Sequence, residues 1–286
     1  STNKNKMTKS RIFSALVMLF ISVSAYGQDF RKQFEDLMDK KDTTGQVKLL
    51  KQWEKKSPND AELHIAWFNH YMEKAMVKVD AAEKAKTEPP APDAEYVRKA
   101  LNHINKGIAA YPDRLDMRFG KIYILGLNDQ FNEFTDEIVK TIEYRFINKN
   151  TWVEADNKPV ADPDKFIQNA SQDNINMLFD MGEKQSANIR AIAETILKYY
   201  PQNVEALTNL AATYMMNKDL AKGLEYLQKA EKLAPKDCSV LLNMAFAYED
   251  TRNNNKAITY FEKVTQYGNE EEKKVAQDEL KKLRKK

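Results

Sequence analysis

The chain has 286 residues, 30% of them charged and 42% hydrophobic, with 45 Lys and Arg against 42 Asp and Glu, 8 Gly, 9 Pro and a single Cys. So little Gly and Pro beside so much charge describes a mostly helical, water-facing chain. Collagen, a disulfide scaffold, a polytopic membrane protein and a wholly disordered chain are excluded.

In chain order, Lys4, Lys6, Lys9 and Arg11 precede the apolar run Ile12 to Val23, and Ser24-Ala25-Tyr26-Gly27 follows. A basic start, an apolar middle and small residues at 25 and 27 predict a secretory signal peptide over 1–27, cut after Gly27. The run is too short for a bilayer, which needs about 20 apolar residues. The expectation is therefore an exported protein, periplasmic or extracellular, with no stable membrane anchor once the signal is cut. Removing it takes four basic and no acidic residues, leaving 41 against 42 and a net charge of -1. No general basic field remains for a nucleic-acid backbone.

From there the chain reads as one helical domain, 28–286, built of helix pairs at 29–57, 60–111, 113–147, 165–200, 203–234 and 237–267, closed by a helix at 269–285. A proline followed by a polar cap marks the starts: Pro58-Asn-Asp60, Pro112-Asp113, Pro201-Gln-Asn203 and Pro235-Lys-Asp237. Two insertions interrupt the spacing. Residues 81–93 lengthen one helix and add a Pro-rich loop, and residues 148–164 form a loop between pairs. The 165–200 pair is the least regular, with Asp173 and Asp180 at positions that call for large apolar groups, so its first helix reads as short or displaced. In the last helix Val275, Leu280 and Leu283 are the apolar anchors, as suits a cap whose outer face meets water.

Residues 203–267 repeat with an offset of 34: Leu207 falls over Leu241, Asn209 over Asn243, Leu210 over Met244, Ala211 over Ala245, Tyr214 over Tyr248, Gly223 over Ala257 and Leu227 over Phe261. Positions 207, 210, 211 and 214 share one helical stripe, as do 220, 223, 224, 227 and 230, so each unit is two amphipathic helices that bury their stripes only by stacking. Leu207, Leu210, Ala211, Tyr214, Gly223, Leu227, Ala230 and Pro235 resemble the tetratricopeptide repeat family. The resemblance implies an all-α fold, a right-handed α-solenoid of stacked antiparallel helix pairs with a C-terminal capping helix. It also implies a concave groove lined by the first helix of each pair, here Glu205, Thr208, Asn209, Ala212, Met215 and Met216, then Ser239, Leu242, Asn243, Phe246, Glu249 and Asp250. This surface is mixed apolar and acidic. Asn209 and Asn243 suit one role in the carboxylate clamp of the family's chaperone-tail binders, or equally hydrogen bonds between helices. No Lys or Arg stands among these positions, so the clamp itself is rejected.

Catalytic chemistry finds little support. His64, His70 and His103 include no pair at i, i+4, no Cys joins them, and there is no phosphate loop or nucleophile elbow. No enzyme activity, metal or cofactor is expected. Cys238 follows a cap residue, where the helix dipole would favour its thiolate, but a small packing residue beside a turn is the simpler account. The basic end, Lys281 to Lys286, reads as a helix terminus complementing its own dipole. The function expected is a non-catalytic scaffold or adaptor of a bacterial envelope, holding a peptide or partner protein in the groove. The alternative is a glycan or small-ligand binder with Trp152 as a stacking platform; otherwise Trp152 plugs the fourth pair.

Overall fold

The computed structural model describes residues 27–285. The export segment expected over 1–27 lies outside them except for Gly27 itself. Thirteen α-helices follow one another among the described residues. They are α1 Gly27–Asp39, α2 Thr43–Lys56, α3 Ala61–Lys84, α4 Ala94–Ala110, α5 Leu115–Leu127, α6 Phe131–Tyr144, α7 Pro163–Asp180, α8 Ser186–Tyr199, α9 Val204–Met216, α10 Leu220–Leu233, α11 Cys238–Asp250, α12 Asn254–Tyr267 and α13 Glu270–Leu283. The fold is all-α, with consecutive helices packed in pairs and, within each unit, neighbouring pairs packed on one another, the arrangement of an α-solenoid. Two compact units are distinguished, 27–166 and 167–285, and the division falls within α7.

In the C-terminal unit the repeat stripes form the core. Leu207, Leu210, Ala211, Leu227, Ala230, Leu241, Met244, Ala245, Ala257, Phe261 and Val264 are all buried. The 34-residue offset reappears as geometry: Tyr214 stacks on Tyr226 with centroids 5.6 Å apart, and Tyr248 stacks on Tyr260 at 5.5 Å. A side chain at Gly223 would place its Cβ 2.6 Å from Met215 Cγ and 3.2 Å from the Ala211 carbonyl oxygen, so the small residue there sets how closely α9 and α10 approach.

Asp60, Asn203 and Asp237 cap their helices as their spacing suggests, accepting from the backbone N–H of Glu62 (3.0 Å), Ala206 (2.7 Å) and Val240 (3.1 Å). Asp113 does not cap α5. Arg114 holds the cap position without a side-chain cap bond, and the Asp113 carbonyl accepts instead from Val153 N–H at 3.0 Å. That contact arises because the 148–164 insertion is more than a loop. It folds into a small antiparallel hairpin, β1 Val153–Glu154 and β2 Lys158–Pro159, turned by Asp156 and Asn157 at positive φ, and β1 bridges to Arg114.

Two further expectations are corrected. The first helix of the fourth pair is not short: α7 runs 18 residues, buries Ile167, Ser171, Ile175 and Leu178, and leaves Asp173 and Asp180 to solvent. In the terminal helix Val275 is 40% exposed and Ala276 takes its inward place beside Leu280 and Leu283. A capping box between Asn269 and Glu272 starts that helix. No helix among the described residues is long and apolar enough to cross a membrane.

Candidate functional site

The first helices of the C-terminal unit lie side by side. α9 packs along α11, and polar side chains tie α9 to α7. Asn203 Nδ2 donates to Gln168 Oε1 at 2.9 Å. Asn209 and Gln172 exchange two hydrogen bonds, Asn209 Nδ2 to Gln172 Oε1 at 2.8 Å and Gln172 Nε2 to Asn209 Oδ1 at 3.4 Å. The layer α7–α9–α11 is thus one face of the unit, set by an amide ladder on one seam and apolar packing on the other.

Not all of the expected groove residues are presented by that face. Glu205, Ser239 and Asp250 are exposed, and Ala212, Met216, Asn243 and Glu249 are half-buried at the surface. Asn209 is buried and committed to Gln172, which is the interhelix role weighed for it. Asn243, one repeat on, has Ala206 where its counterpart has Gln172, and makes no side-chain hydrogen bond among the described residues. Thr208 Oγ1 returns to the Val204 carbonyl at 2.9 Å. Met215, Leu242 and Phe246 lean into the core, Met215 over Gly223 and Phe246 edge-on to Phe261 with centroids 5.2 Å apart. Cys238 is a free, buried thiol; burial first, then the carboxylates of Glu272 and Asp237, push its pKa up. Its place at a helix start therefore does not yield a thiolate.

The N-terminal unit holds a cluster that no local pattern announces. Arg114, 1% exposed, donates Nη1 to Glu62 Oε1 at 2.7 Å and grips Asp116 with Nε (2.8 Å) and Nη2 (2.7 Å). Burial works against its charge, yet the Asp116 and Glu62 carboxylates outweigh it and hold the guanidinium above its ordinary pKa. The hairpin turn joins in: Asp156 N–H donates to Glu62 Oε1 at 3.2 Å, and Arg31 of α1 reaches the Asp156 carboxylate at 3.3 Å. Alongside, Arg118 bonds Glu137 (3.2 Å) and lies over the rings of Tyr144 (4.6 Å) and Trp152 (5.5 Å). Trp152 is 2% exposed. It plugs the third pair rather than the fourth, because the hairpin folds back onto α5, and it offers no open ring to a ligand.

Across the seam of α2, α3 and α4 runs a stack of rings. His103 packs against both Trp67 (5.2 Å) and Tyr71 (5.6 Å), which stack on each other at 5.6 Å, and His70, 1% exposed, places Nδ1 2.6 Å from Gln46 Oε1. Gln46 Nε2 in turn donates to Glu73 at 2.8 Å. Burial, then Lys74 and His103, lower His70 to about 4; burial, then Lys106 and His64, lower His103 to about 4. Among the described residues no group of three or more His, Cys, Asp or Glu side chains is placed to hold a metal ion.

The family described as tetratricopeptide repeat matches residues 204–237 and 239–267, the two units in which the 34-residue register is cleanest. Comparison with curated proteins finds no match. Solved structures similar to this chain include YrrB, described as a tetratricopeptide-repeat protein with an unusual peptide-binding site, at 12% identity over 81% of this chain and 97% of that one, with a TM-score of 0.44. The pilus biogenesis factor PilW is similar at 16% identity over 88% and 99%, TM-score 0.41. A tetratricopeptide-repeat protein from Parabacteroides merdae is similar at 12% identity over 85% and 80%, TM-score 0.39.

Proposed function

We propose that the protein is a non-catalytic scaffold that holds a peptide or a segment of a partner protein on the α7–α9–α11 face, and that it acts after export. The observation that carries this reading is the face itself. Two of its helices, α9 and α11, belong to the matched repeats, and their inward stripes are occupied by packing. Outward they present Ala212, Met216 and the surface amide of Asn243, an apolar strip with one hydrogen-bonding group able to read a backbone. Met216 is an adaptable contact because its thioether chain repacks at little cost.

Photo-crosslinking tests the reading. A crosslinker at Met216 should capture a partner in vivo, whereas one at the exposed Gln228 of α10, on the second-helix layer, should not. Met216→Ser with Asn243→Ala should abolish capture while helicity and melting temperature hold, since neither residue belongs to the buried core. Phe246 is left in place because its ring supports Phe261. Unchanged capture by that variant would remove the face from the account. For export, N-terminal sequencing of the native protein should return Gln28 as the first residue; a mature start upstream of Arg11 would overturn it.

A further inference from the structure

Charge is unevenly divided between the two helix layers of the C-terminal unit. On the first layer, α7 from residue 167 with α9 and α11, the charged residues are Asp173, Asp180, Glu205, Glu249 and Asp250, without a single Lys or Arg. On the second layer, α8, α10 and α12 carry Lys and Arg in excess over Glu. The difference extends to pairing. Among the second-layer carboxylates, Glu225 meets Lys229 at 2.8 Å, Glu231 meets Lys263 at 2.9 Å and Glu262 meets Arg284 at 2.7 Å. None of the five first-layer carboxylates forms an ion pair with a described residue. The cation that Glu249 influences, Lys282 of α13, is itself bonded to Glu279 at 2.7 Å.

Resting on the face proposed above, we infer that its occupant is a cationic amphipathic segment, with Lys or Arg on one side and apolar residues on the other. The apolar side would lie along Ala212 and Met216, and the cations would reach the unpaired carboxylates flanking that strip. Like charges left without counterions repel one another and are stabilised when a partner of opposite sign arrives. The same sign disfavours a nucleic-acid backbone or an acidic peptide. A divalent cation is not the ligand, since no three carboxylates converge among the described residues.

The full chain, titrated by fluorescence anisotropy with a labelled lysine–leucine amphipathic peptide and with its glutamate–leucine counterpart, tests the inference. The lysine peptide should bind and the glutamate peptide should not. The combined variant Asp173→Asn, Glu205→Gln and Asp250→Asn should weaken the lysine peptide about tenfold, as the loss of a few exposed charge pairs predicts. Glu194→Gln with Glu225→Gln, on the second layer, should change nothing. Affinity should also fall as added salt shortens the Debye length below about 8 Å. Equal binding of both peptides, or equal effects of the two variants, would overturn the charge assignment. If the lysine peptide fails while the Met216 crosslink still captures a partner, the cationic occupant falls and the face stands; if both fail, the face falls with it.

Discussion

Replacing Arg114 with methionine is expected to destabilise the N-terminal unit by about 3 to 5 kcal/mol, the usual cost of removing one member of a buried ionic cluster. The loss comes less from the missing bonds than from what remains. Glu62 and Asp116, 9% and 7% exposed, would keep their carboxylates in the interior without a cation. The hairpin would loosen too, because Asp156 N–H bonds the same Glu62 oxygen that Arg114 holds. Restoring neutrality separates this account from simple loss of packing: Arg114→Met combined with Glu62→Gln and Asp116→Asn should recover much of the stability, since no buried charge is then left unpaired. The three tryptophans, Trp53, Trp67 and Trp152, all lie in residues 27–166, so indole fluorescence in a urea titration reports that unit alone while circular dichroism reports both. A fluorescence midpoint unmoved by Arg114→Met, or a triple variant no more stable than the single one, would show that the cluster does not hold the unit.

That cluster also marks where sequence reading reaches its limit. The C-terminal pairs were legible because their information is local: a 34-residue offset, a stripe at helical spacing and a cap after each proline are all contained in one stretch of chain. Even the three helix pairs of the irregular N-terminal half follow from such local marks. The partners of Arg114 do not, since Glu62 lies 52 residues away and the Glu62 contact to the hairpin spans 94. Glu62 and Arg114 meet directly across the starts of α3 and α5, and the folded-back insertion adds Asp156 to them. Trp152 was misplaced for the same reason, as its role depends on which helix the insertion returns to. On the candidate face, the outward direction of Met216 and Asn243 follows from helical phase, but the inward lean of Met215 depends on Gly223 in the next helix. The tie of Asn209 depends on Gln172 in the preceding pair, and the repeat alone cannot say that Asn243 lacks the equivalent.

Acidification should weaken the N-terminal unit well before ordinary carboxylates protonate. His70 and His103 are held near 4 in the folded chain against an ordinary 6.5, chiefly by burial, and His64 is lowered as well, by burial and then Lys106, with Asp60 and Glu54 opposing. The neutral imidazole is therefore the form the fold favours, and between pH 6.5 and about 4 the unfolded chain binds the extra protons. Stability is then complete above about pH 6.5 and is lost progressively as the pH falls toward 4. At about 1.4 kcal/mol for each pH unit between the two values, His70 alone contributes on the order of 3 kcal/mol. The surroundings offer its proton little compensation: Lys74 and His103 are like-charged neighbours, Trp67 and Tyr71 present ring edges or faces, and Glu73 is reached only through Gln46. His103→Phe keeps a ring against both Trp67 and Tyr71 while removing one titrating group, so it should flatten the dependence without collapsing the stack. Imidazole resonances of His70 and His103 that stay in the neutral form down to about pH 5, together with a fluorescence-detected urea midpoint that falls between pH 7 and pH 5, are the expected results. Titration of either ring near 6.5, or an N-terminal unit equally stable at both pH values, would refute the burial of a neutral imidazole as a source of its stability.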